Sequence, residues 1–333
     1  MLKITGNYFL GIFLYTLVII LLADFGRILL KYVFHASWIH SRTAFTVTGA
    51  ICALLILLLS ACGIFHAKYI KTTSYDVIIN KTIPERTSMK VVLLADTHFG
   101  YNAGVLHARE LVRKINKQKP DLVCIAGDIF DNEYDAIRNP EKLEKTLRGI
   151  KSTYGVYACW GNHDLNEEIL AGFTFKHKDG DLSNIKDPRM KKFLEDSNIH
   201  ILEDESVLIN DQFYVIGRKD ASLTEKIHET RKAPAQLTEK LDRDKPIIMI
   251  DHQPKELQEL ADAGVDLDLC GHTHDGQMFP GNLTVKLMWE NACGYLKKGN
   301  LHSIVTSGVG VWGPAMRVGT DCEICPITIH FQG

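Results

Sequence analysis

Five short polar clusters in this sequence carry the residue types that bind metal ions. Carboxylate and amide oxygens and imidazole nitrogens suit Mn²⁺, Fe²⁺, Fe³⁺ or Zn²⁺ better than Ca²⁺, because imidazole is a poor Ca²⁺ ligand. One ion cannot use all of the candidates, whereas two divalent ions about 3.5–4 Å apart that share one carboxylate can. The seven candidate ligands are Asp96, His98, Asp128, Asn162, His252, His272 and His274.

Each cluster directly follows a short apolar run that is typical of a buried strand. These runs cover residues 90–95, 121–126, 155–160, 246–251 and 265–270. Helical patterns lie between some of them, at 104–118 and 254–263. Alternating strands and helices indicate an α/β fold, in which ligands bind beyond the carboxyl ends of the strands. We therefore expect all five clusters at one edge of the fold.

Taken in order, the clusters resemble the signature of the calcineurin-like metallophosphoesterase superfamily over about residues 88–333. The resemblance implies a four-layer α/β/β/α sandwich with a dinuclear metal centre. It also implies that His163 faces the substrate phosphate without binding metal, while Asp164 orients the His163 ring. In the implied ligand set, Asp128 bridges the two ions, one of which is bound by Asp96, His98 and His274 and the other by Asn162, His252 and His272.

Two departures from the pattern narrow the subgroup. In protein phosphatases of this superfamily one motif reads Gly-Asn-His-Glu, and an arginine follows shortly after Gly-Asp. This chain has Asp164 in place of that glutamate, and its residues 127–132 include no arginine. The 271–277 and 312–314 stretches and the apolar amino terminus are similar to bacterial membrane-associated phosphodiesterases and lipid-linked UDP-sugar pyrophosphatases. The expected reaction is attack by a metal-bridging hydroxide on a phosphodiester or pyrophosphate, with His163 protonating or hydrogen-bonding the leaving group.

A second function class is a non-catalytic membrane scaffold that keeps the fold for protein binding. Such a protein is expected to lose metal ligands, and this chain retains the whole set. The sequence therefore favours the enzyme.

The amino-terminal region contains two apolar runs, at residues 8–30 and 44–65. Each is long enough to cross a hydrocarbon core of roughly 30 Å as a helix. A signal peptide is the alternative, but no small-residue cleavage site follows the first run and a second run comes directly after it. We expect a transmembrane hairpin at 1–70, a linker at 71–88 and a catalytic domain at 89–333, with the bilayer and a phosphate ester as partners. Basic residues are balanced across the hairpin and assign no side.

The remaining sequence supplies weaker signals. The 333 residues carry a net charge of -2, which gives no basic surface for nucleic acid. Arg218 follows a predicted strand at 212–217 and is a candidate phosphate contact, with a surface salt bridge as the alternative. The 172–187 stretch and the charged, helical 222–244 stretch are expected to border the substrate pocket. Four histidines without a surrounding motif are expected on the surface: His177, His200, His228 and His302.

Overall fold

The computed structural model describes residues 2–170, 173–174 and 185–332. The chain begins with two long helices, α1 (Leu2–Tyr32) and α2 (Arg42–His66). The helices that follow are α3 Val105–Gln118, α4 Pro140–Leu147, α5 Pro188–Asp196, α6 Ala221–Lys226, α7 Pro234–Thr238, α8 Leu257–Asp262 and α9 Gly281–Met288. The strands are β1 Ile70–Thr72, β2 Tyr75–Ile79, β3 Ser88–Leu94, β4 Leu122–Ala126, β5 Val156–Cys159, β6 Ile169–Leu170, β7 Phe173–Thr174, β8 Ile199–Ile201, β9 Glu205–Ile209, β10 Phe213–Gly217, β11 Ile247–Ile250, β12 Leu267–Cys270, β13 Gly294–Lys298, β14 Leu301–Val305 and β15 Cys322–Phe331.

Two mixed sheets form the centre of the fold. One has the strand order β1-β15-β3-β4-β5-β8, with β2 also paired to β15. The other has the order β13-β14-β12-β11-β10-β9. Within them, β3, β4 and β5 run parallel, as do β10, β11 and β12. Parallel neighbours bring their carboxyl ends to the same edge of each sheet.

Alternate residues of the central strands fill different hydrophobic layers. Val91 and Leu93 of β3 face the second sheet, where they share a core with Ile248 and Ile250 of β11. Val92, between them, faces the other way and packs with α3, α4 and α5. A third core joins the outer face of the second sheet to α7 and α8. Because both faces of these strands are buried, their sequences are continuous apolar runs. The predicted four-layer α/β/β/α sandwich is confirmed.

The five predicted strands are all present as β3, β4, β5, β11 and β12. The predicted helix at 104–118 is α3, which begins after Gly104 and ends at Gln118, directly before Lys119, a residue in the left-handed conformation. The charged 222–244 stretch contains α6 and α7, two short helices rather than one long one. His200 and His228 are exposed as predicted, and His177 lies outside the described residues, as does most of the 172–187 stretch.

Two expectations need correction. The predicted linker at 71–88 contains β1 and β2, which pair with β15 in parallel. Sequence inspection missed them because their partner lies some 250 residues later in the chain. His302 is buried and not on the surface. Its Nδ1 atom lies 2.9 Å from the Tyr295 hydroxyl, and its Nε2 atom lies 2.9 Å from the Ile78 carbonyl.

The neighbouring isoleucines of β2 test this correction. Ile79 is 2% exposed in the core between the sheets, whereas Ile78 is 46% exposed. Ile79→Ala should lower the free energy of unfolding by about 2–5 kcal/mol, because it removes buried methyl groups and leaves a cavity. Ile78→Ala should change it by about 0.5 kcal/mol or less. Denaturant unfolding in detergent measures both, and equal small effects would mean that this segment is only a linker.

The two amino-terminal helices pack on the rest of the protein along one end. In α1 the buried positions Asn7, Gly11 and Tyr15 recur every four residues and so lie on one face. In α2 the buried residues are Ser60 and Gly63. Beyond these points, residues 16–32 and 42–59 have no buried side chain, and each segment is about 26 Å long at 1.5 Å per residue. Both helices are long and apolar enough to cross a membrane.

Candidate metal centre

Loops from the two sheets meet where the parallel strands end. The Asp96 N–H donates to the Gly127 carbonyl, and the His98 N–H donates to the Asp128 carbonyl, so the β3 and β4 loops run together. A side chain at Gly161 would place Cβ 2.2 Å from Asp128 Oδ1, so only glycine allows the β5 loop to approach this closely. The structure therefore brings all five polar clusters to one place.

Asp96, His98 and His274 form one group of converging side chains. All three are buried, and their candidate ligand atoms lie within 4.8 Å of one another. His98 Nε2 and His274 Nε2 are 3.2 Å apart, and His274 Nε2 is 3.7 Å from Asp96 Oδ1.

Asp128, His252 and His272 form the second group. His252 Nε2 lies 3.2 Å from both Asp128 Oδ2 and His272 Nδ1. Asn162 joins this group, because its Oδ1 is 3.0 Å from His252 Nε2. His252 Nδ1 is 2.8 Å from the Ala126 carbonyl, a contact that places the ring hydrogen on Nδ1 and leaves Nε2 free to bind a metal.

The Asp128 carboxylate lies between the two groups. Its Oδ2 atom is 3.2 Å from His252 Nε2 in one group and 3.9 Å from His98 Nε2 in the other. This is the position that a carboxylate shared by two ions must occupy. The donor atoms are imidazole nitrogens, carboxylates and one amide oxygen, a set that fits Mn, Fe or Zn ions.

The backbone at these positions is strained. Five of the candidate ligands have positive φ angles although each has a Cβ atom: Asp96 (54°), His98 (43°), Asp128 (50°), His272 (72°) and His274 (51°). The left-handed region is costly for residues with a Cβ atom and tends to occur where function requires it. The packed sheets therefore hold these side chains in an arrangement that a relaxed loop would not adopt.

Electrostatics divides the histidines into two kinds. Burial lowers the pKa of His272 to about 3 and the pKa of His163 to about 4, so both rings are neutral near pH 7. Burial also opposes charge on His252, but the contact with Asp128 and the nearby charges of Asp220 and Asp96 together outweigh it and raise the pKa of His252 well above its ordinary value. Bound cations must therefore compete with a proton on His252, since a metal ligand has to be deprotonated.

His163 lies beside the two groups and its ring is oriented by Asn132. His163 Nδ1 is 2.7 Å from Asn132 Oδ1, and the Asn132 amide nitrogen donates to Glu167. That amide contact makes the Asn132 oxygen the acceptor, so His163 carries its hydrogen on Nδ1 and directs Nε2 elsewhere. Trp312 packs against the His163 ring, with the two ring centroids 5.8 Å apart.

The predicted role of Asp164 is not what the structure shows. Its carboxylate accepts the backbone N–H groups of Phe130 and Gly161, at 2.8 and 2.7 Å, and has no hydrogen bond to the His163 ring. Asp164 therefore ties the β4 and β5 loops together, and Asn132 holds the ring. Burial, followed by the nearby Asp128 charge, raises the pKa of Asp164 to about 7.

Asn132→Ala should lower kcat by about 10- to 100-fold, because the His163 ring loses the contact that fixes its orientation. Metal content should stay at the wild-type level. Asn132→Asp keeps an acceptor oxygen and should retain more activity than Asn132→Ala. In a His163→Ala background the same change should add little, since Asn132 acts through that ring. Additive losses in steady-state kinetics would contradict this role.

Arg218 is not placed to contact a substrate. It is 1% exposed, and its guanidinium donates to Asp251, Glu256 and the Lys232 carbonyl. Arg218 therefore forms ion pairs with carboxylates of the protein. Its guanidinium is buried, whereas the alternative prediction was a salt bridge on the surface.

Arg317 is a residue at the site that sequence inspection missed. It is 1% exposed, donates 2.8 Å to the His274 carbonyl and also reaches the carbonyls of Ser307 and Gly310. It thereby fixes the backbone of a candidate ligand. No neighbouring motif marks it, because the contact forms across 43 residues of chain.

A cleft of about 450 Å³ opens over the centre. Its lining includes the candidate ligands Asp128, His272 and His274, together with His163. It also includes the apolar side chains of Met278, Val285, Trp312 and Pro314. The cleft therefore has both polar and apolar lining residues.

Comparison with known proteins identifies related chains. The model of the calcineurin-like phosphoesterase family matches residues 89–276, more than half of the chain. An uncharacterized metallophosphoesterase of Campylobacter jejuni is 31% identical over 74% of this chain and 60% of its own length. A transmembrane protein with a metallophosphoesterase domain from Bos taurus is 26% identical over 84% of this chain and 62% of its own. An uncharacterized metallophosphoesterase of Aquifex aeolicus is 25% identical over 84% of this chain and 99% of its own. The chain spans about three fifths of the Campylobacter and Helicobacter pylori relatives.

Proposed function

The chain belongs to the calcineurin-like phosphoesterase family, and we propose that it hydrolyses a phosphodiester or pyrophosphate at the paired ligand groups. The observation that carries this proposal is the Asp128 carboxylate, which lies within 4 Å of histidine nitrogens in both groups. A single-ion site needs no such shared carboxylate.

Two divalent ions bound here would supply positive charge for phosphate oxygens and a water molecule acidic enough to react near neutral pH. Asp96, His98 and His274 would hold one of them, and Asn162, His252 and His272 the other. Asp128 would contact both and offset their mutual repulsion. The chemistry of the donors favours Mn, Fe or Zn ions at these two positions.

His163 contributes a separate group. Asn132 occupies its Nδ1, so Nε2 is the atom that faces an incoming phosphate. A neutral ring accepts a hydrogen bond there, whereas the negative charge of a bound phosphate favours the protonated ring, which donates one. The protonated form is the one that can assist departure of the leaving group.

The two amino-terminal helices would anchor the enzyme in a membrane. Their exposed side chains over residues 16–32 and 42–59 are largely apolar, and the cost of leaving them in water is removed by a bilayer. Anchoring would favour an envelope- or lipid-linked substrate, because enzyme and lipid then share one thin layer.

The direct test is hydrolysis of bis-p-nitrophenyl phosphate by the purified full-length protein with Mn²⁺, Fe²⁺ or Zn²⁺ added in turn. We expect turnover with at least one metal and none after chelation. Inertness with every metal would contradict the enzyme and favour a scaffold that retains the fold for protein binding.

A further inference from the structure

An apolar surface lies beside the cleft, on α9 and at a residue two positions before the helix. It consists of Phe279, Leu283, Leu287 and Met288, here called the α9 surface. These side chains are 50%, 54%, 89% and 74% exposed, respectively, and α9 has no buried residue. A helix that exposes this much apolar area to water needs a partner that covers it.

One face of α9 lines the cleft and another is exposed on the outside of the protein. Thr284 and Val285 line the cleft. Leu283 and Leu287 are four residues apart and so share one face of the helix. Directly after α9, Trp289 packs edge-on against the candidate ligand His272, with the two ring centroids 5.3 Å apart. The helix is thus a wall of the cleft that also presents leucines to the outside.

The α9 surface begins where α1 leaves the catalytic domain. The Tyr15 hydroxyl donates to the Phe279 carbonyl at 2.9 Å, and Tyr15 is 4% exposed. From residue 16 onward α1 has no buried side chain among its described residues. If the exposed part of α1 lies in the bilayer, Tyr15 marks the membrane surface nearest the catalytic domain, and Phe279 lies at that level.

We propose that the α9 surface inserts into the bilayer surface next to the hairpin and thereby holds the mouth of the cleft against the lipid. Leu283, Leu287 and Met288 would enter the acyl boundary. Lys286, on the same helix, and Lys255, which lies 5.5 Å from the Trp289 ring, would contact lipid phosphates. Apolar residues flanked by tryptophan and lysine are typical of helices that lie in a membrane interface.

The consequence for the substrate rests on the proposed function. A lipid-linked phosphate ester could pass from the bilayer along α9 into the cleft, with its phosphate toward Asp128 and its apolar part along Val285 and Met278. Val285 in the cleft lining and the exposed Leu283 and Leu287 belong to the same helix, so the substrate need not leave the membrane surface completely.

Lipid photocrosslinking tests the placement without depending on activity. Benzoylphenylalanine is introduced at Leu287 in the full-length protein, which is then reconstituted into vesicles of phosphatidylethanolamine and phosphatidylglycerol. Leu57, 66% exposed in α2, is the matched position expected inside the bilayer. Leu208, 40% exposed on the edge strand β9, is the matched position expected in water. Lipid adducts are counted by mass spectrometry of the labelled peptide.

We expect adducts at Leu287 at a yield close to that at Leu57 and at least about tenfold above that at Leu208. A yield at Leu287 no higher than at Leu208 would overturn the proposal. Crosslinks from Leu287 to a second copy of the chain would also overturn it, because the α9 surface would then be a protein interface. A variant that gives no monodisperse peak in detergent is replaced by the same probe at Leu283. Lipid adducts in a protein that hydrolyses no ester would leave the placement intact and reject only the proposed function.

Discussion

Asp128→Asn should abolish measurable turnover, a loss of about 10³-fold or more, and should reduce the bound metal toward one ion or none. The carboxylate is 1% exposed, and its Oδ2 atom lies between His252 and His98. Asparagine has nearly the same shape but lacks the negative charge that offsets the repulsion between two cations. The loss should therefore appear in metal content as well as in rate.

The control is Asp211→Asn, the same chemical change at a surface residue whose side chain is 83% exposed. It should retain normal activity and metal. Elemental analysis and hydrolysis rates measure both variants. If Asp128→Asn kept two metals and a near-normal rate, Asp128 would not be the shared ligand.

His163→Ala should lower kcat by roughly 10²–10⁴ while both metals remain bound. The ring belongs to neither group of candidate ligands, and its Nδ1 is held by Asn132 at 2.7 Å. Removing it leaves Asp96, Asp128 and the other ligands unchanged. The effect is thus expected in the chemical step and not in metal affinity.

His200→Ala is the matched control, because His200 is exposed on β8. Comparing metal content with kcat separates the two roles that a histidine near this centre can have. Loss of metal from His163→Ala in proportion to the loss of rate would make His163 a ligand and contradict its separation from both groups.

Much of the candidate site could be predicted because its signals are local. Each ligand follows its strand within a few residues, so the apolar run and the polar cluster can be read together. The parallel arrangement of β3, β4 and β5 then brings the clusters to one edge without further information. The seven residues predicted as ligands are brought together in the structure, although their roles stay predictions.

The features that were missed depend on contacts between distant parts of the chain. Asn132 lies four residues after Asp128 in the same loop, and that position was the available signal, but only the folded β5 loop brings His163 to it. Arg317 reaches the His274 carbonyl across 43 residues of chain, and the partner of β1 and β2 lies some 250 residues after them. Arg218 looked available because the acidic side chains that surround it, Asp251 and Glu256, lie more than 30 residues later.

The packing of the two amino-terminal helices on the rest of the protein was also not predictable from composition. Apolar length predicts helices that cross a bilayer, but not which face meets protein. Here the Arg317 N–H donates to the Gly63 carbonyl of α2 at 3.0 Å, and Arg317 in turn holds His274. Small residues at Gly11 and Gly63 allow this close approach. The amino-terminal helices thus adjoin the candidate site through one intermediate residue.

We propose that one chain binds two ions through the shared Asp128 carboxylate and uses both to hydrolyse a phosphate ester. The most direct test is titration of chelator-treated full-length protein with Mn²⁺, with bound metal and the rate of bis-p-nitrophenyl phosphate hydrolysis measured on the same samples. We expect binding of about two ions per chain, with activity rising as the second site fills. Full activity at one ion per chain, or activity unaffected by chelation, would contradict it.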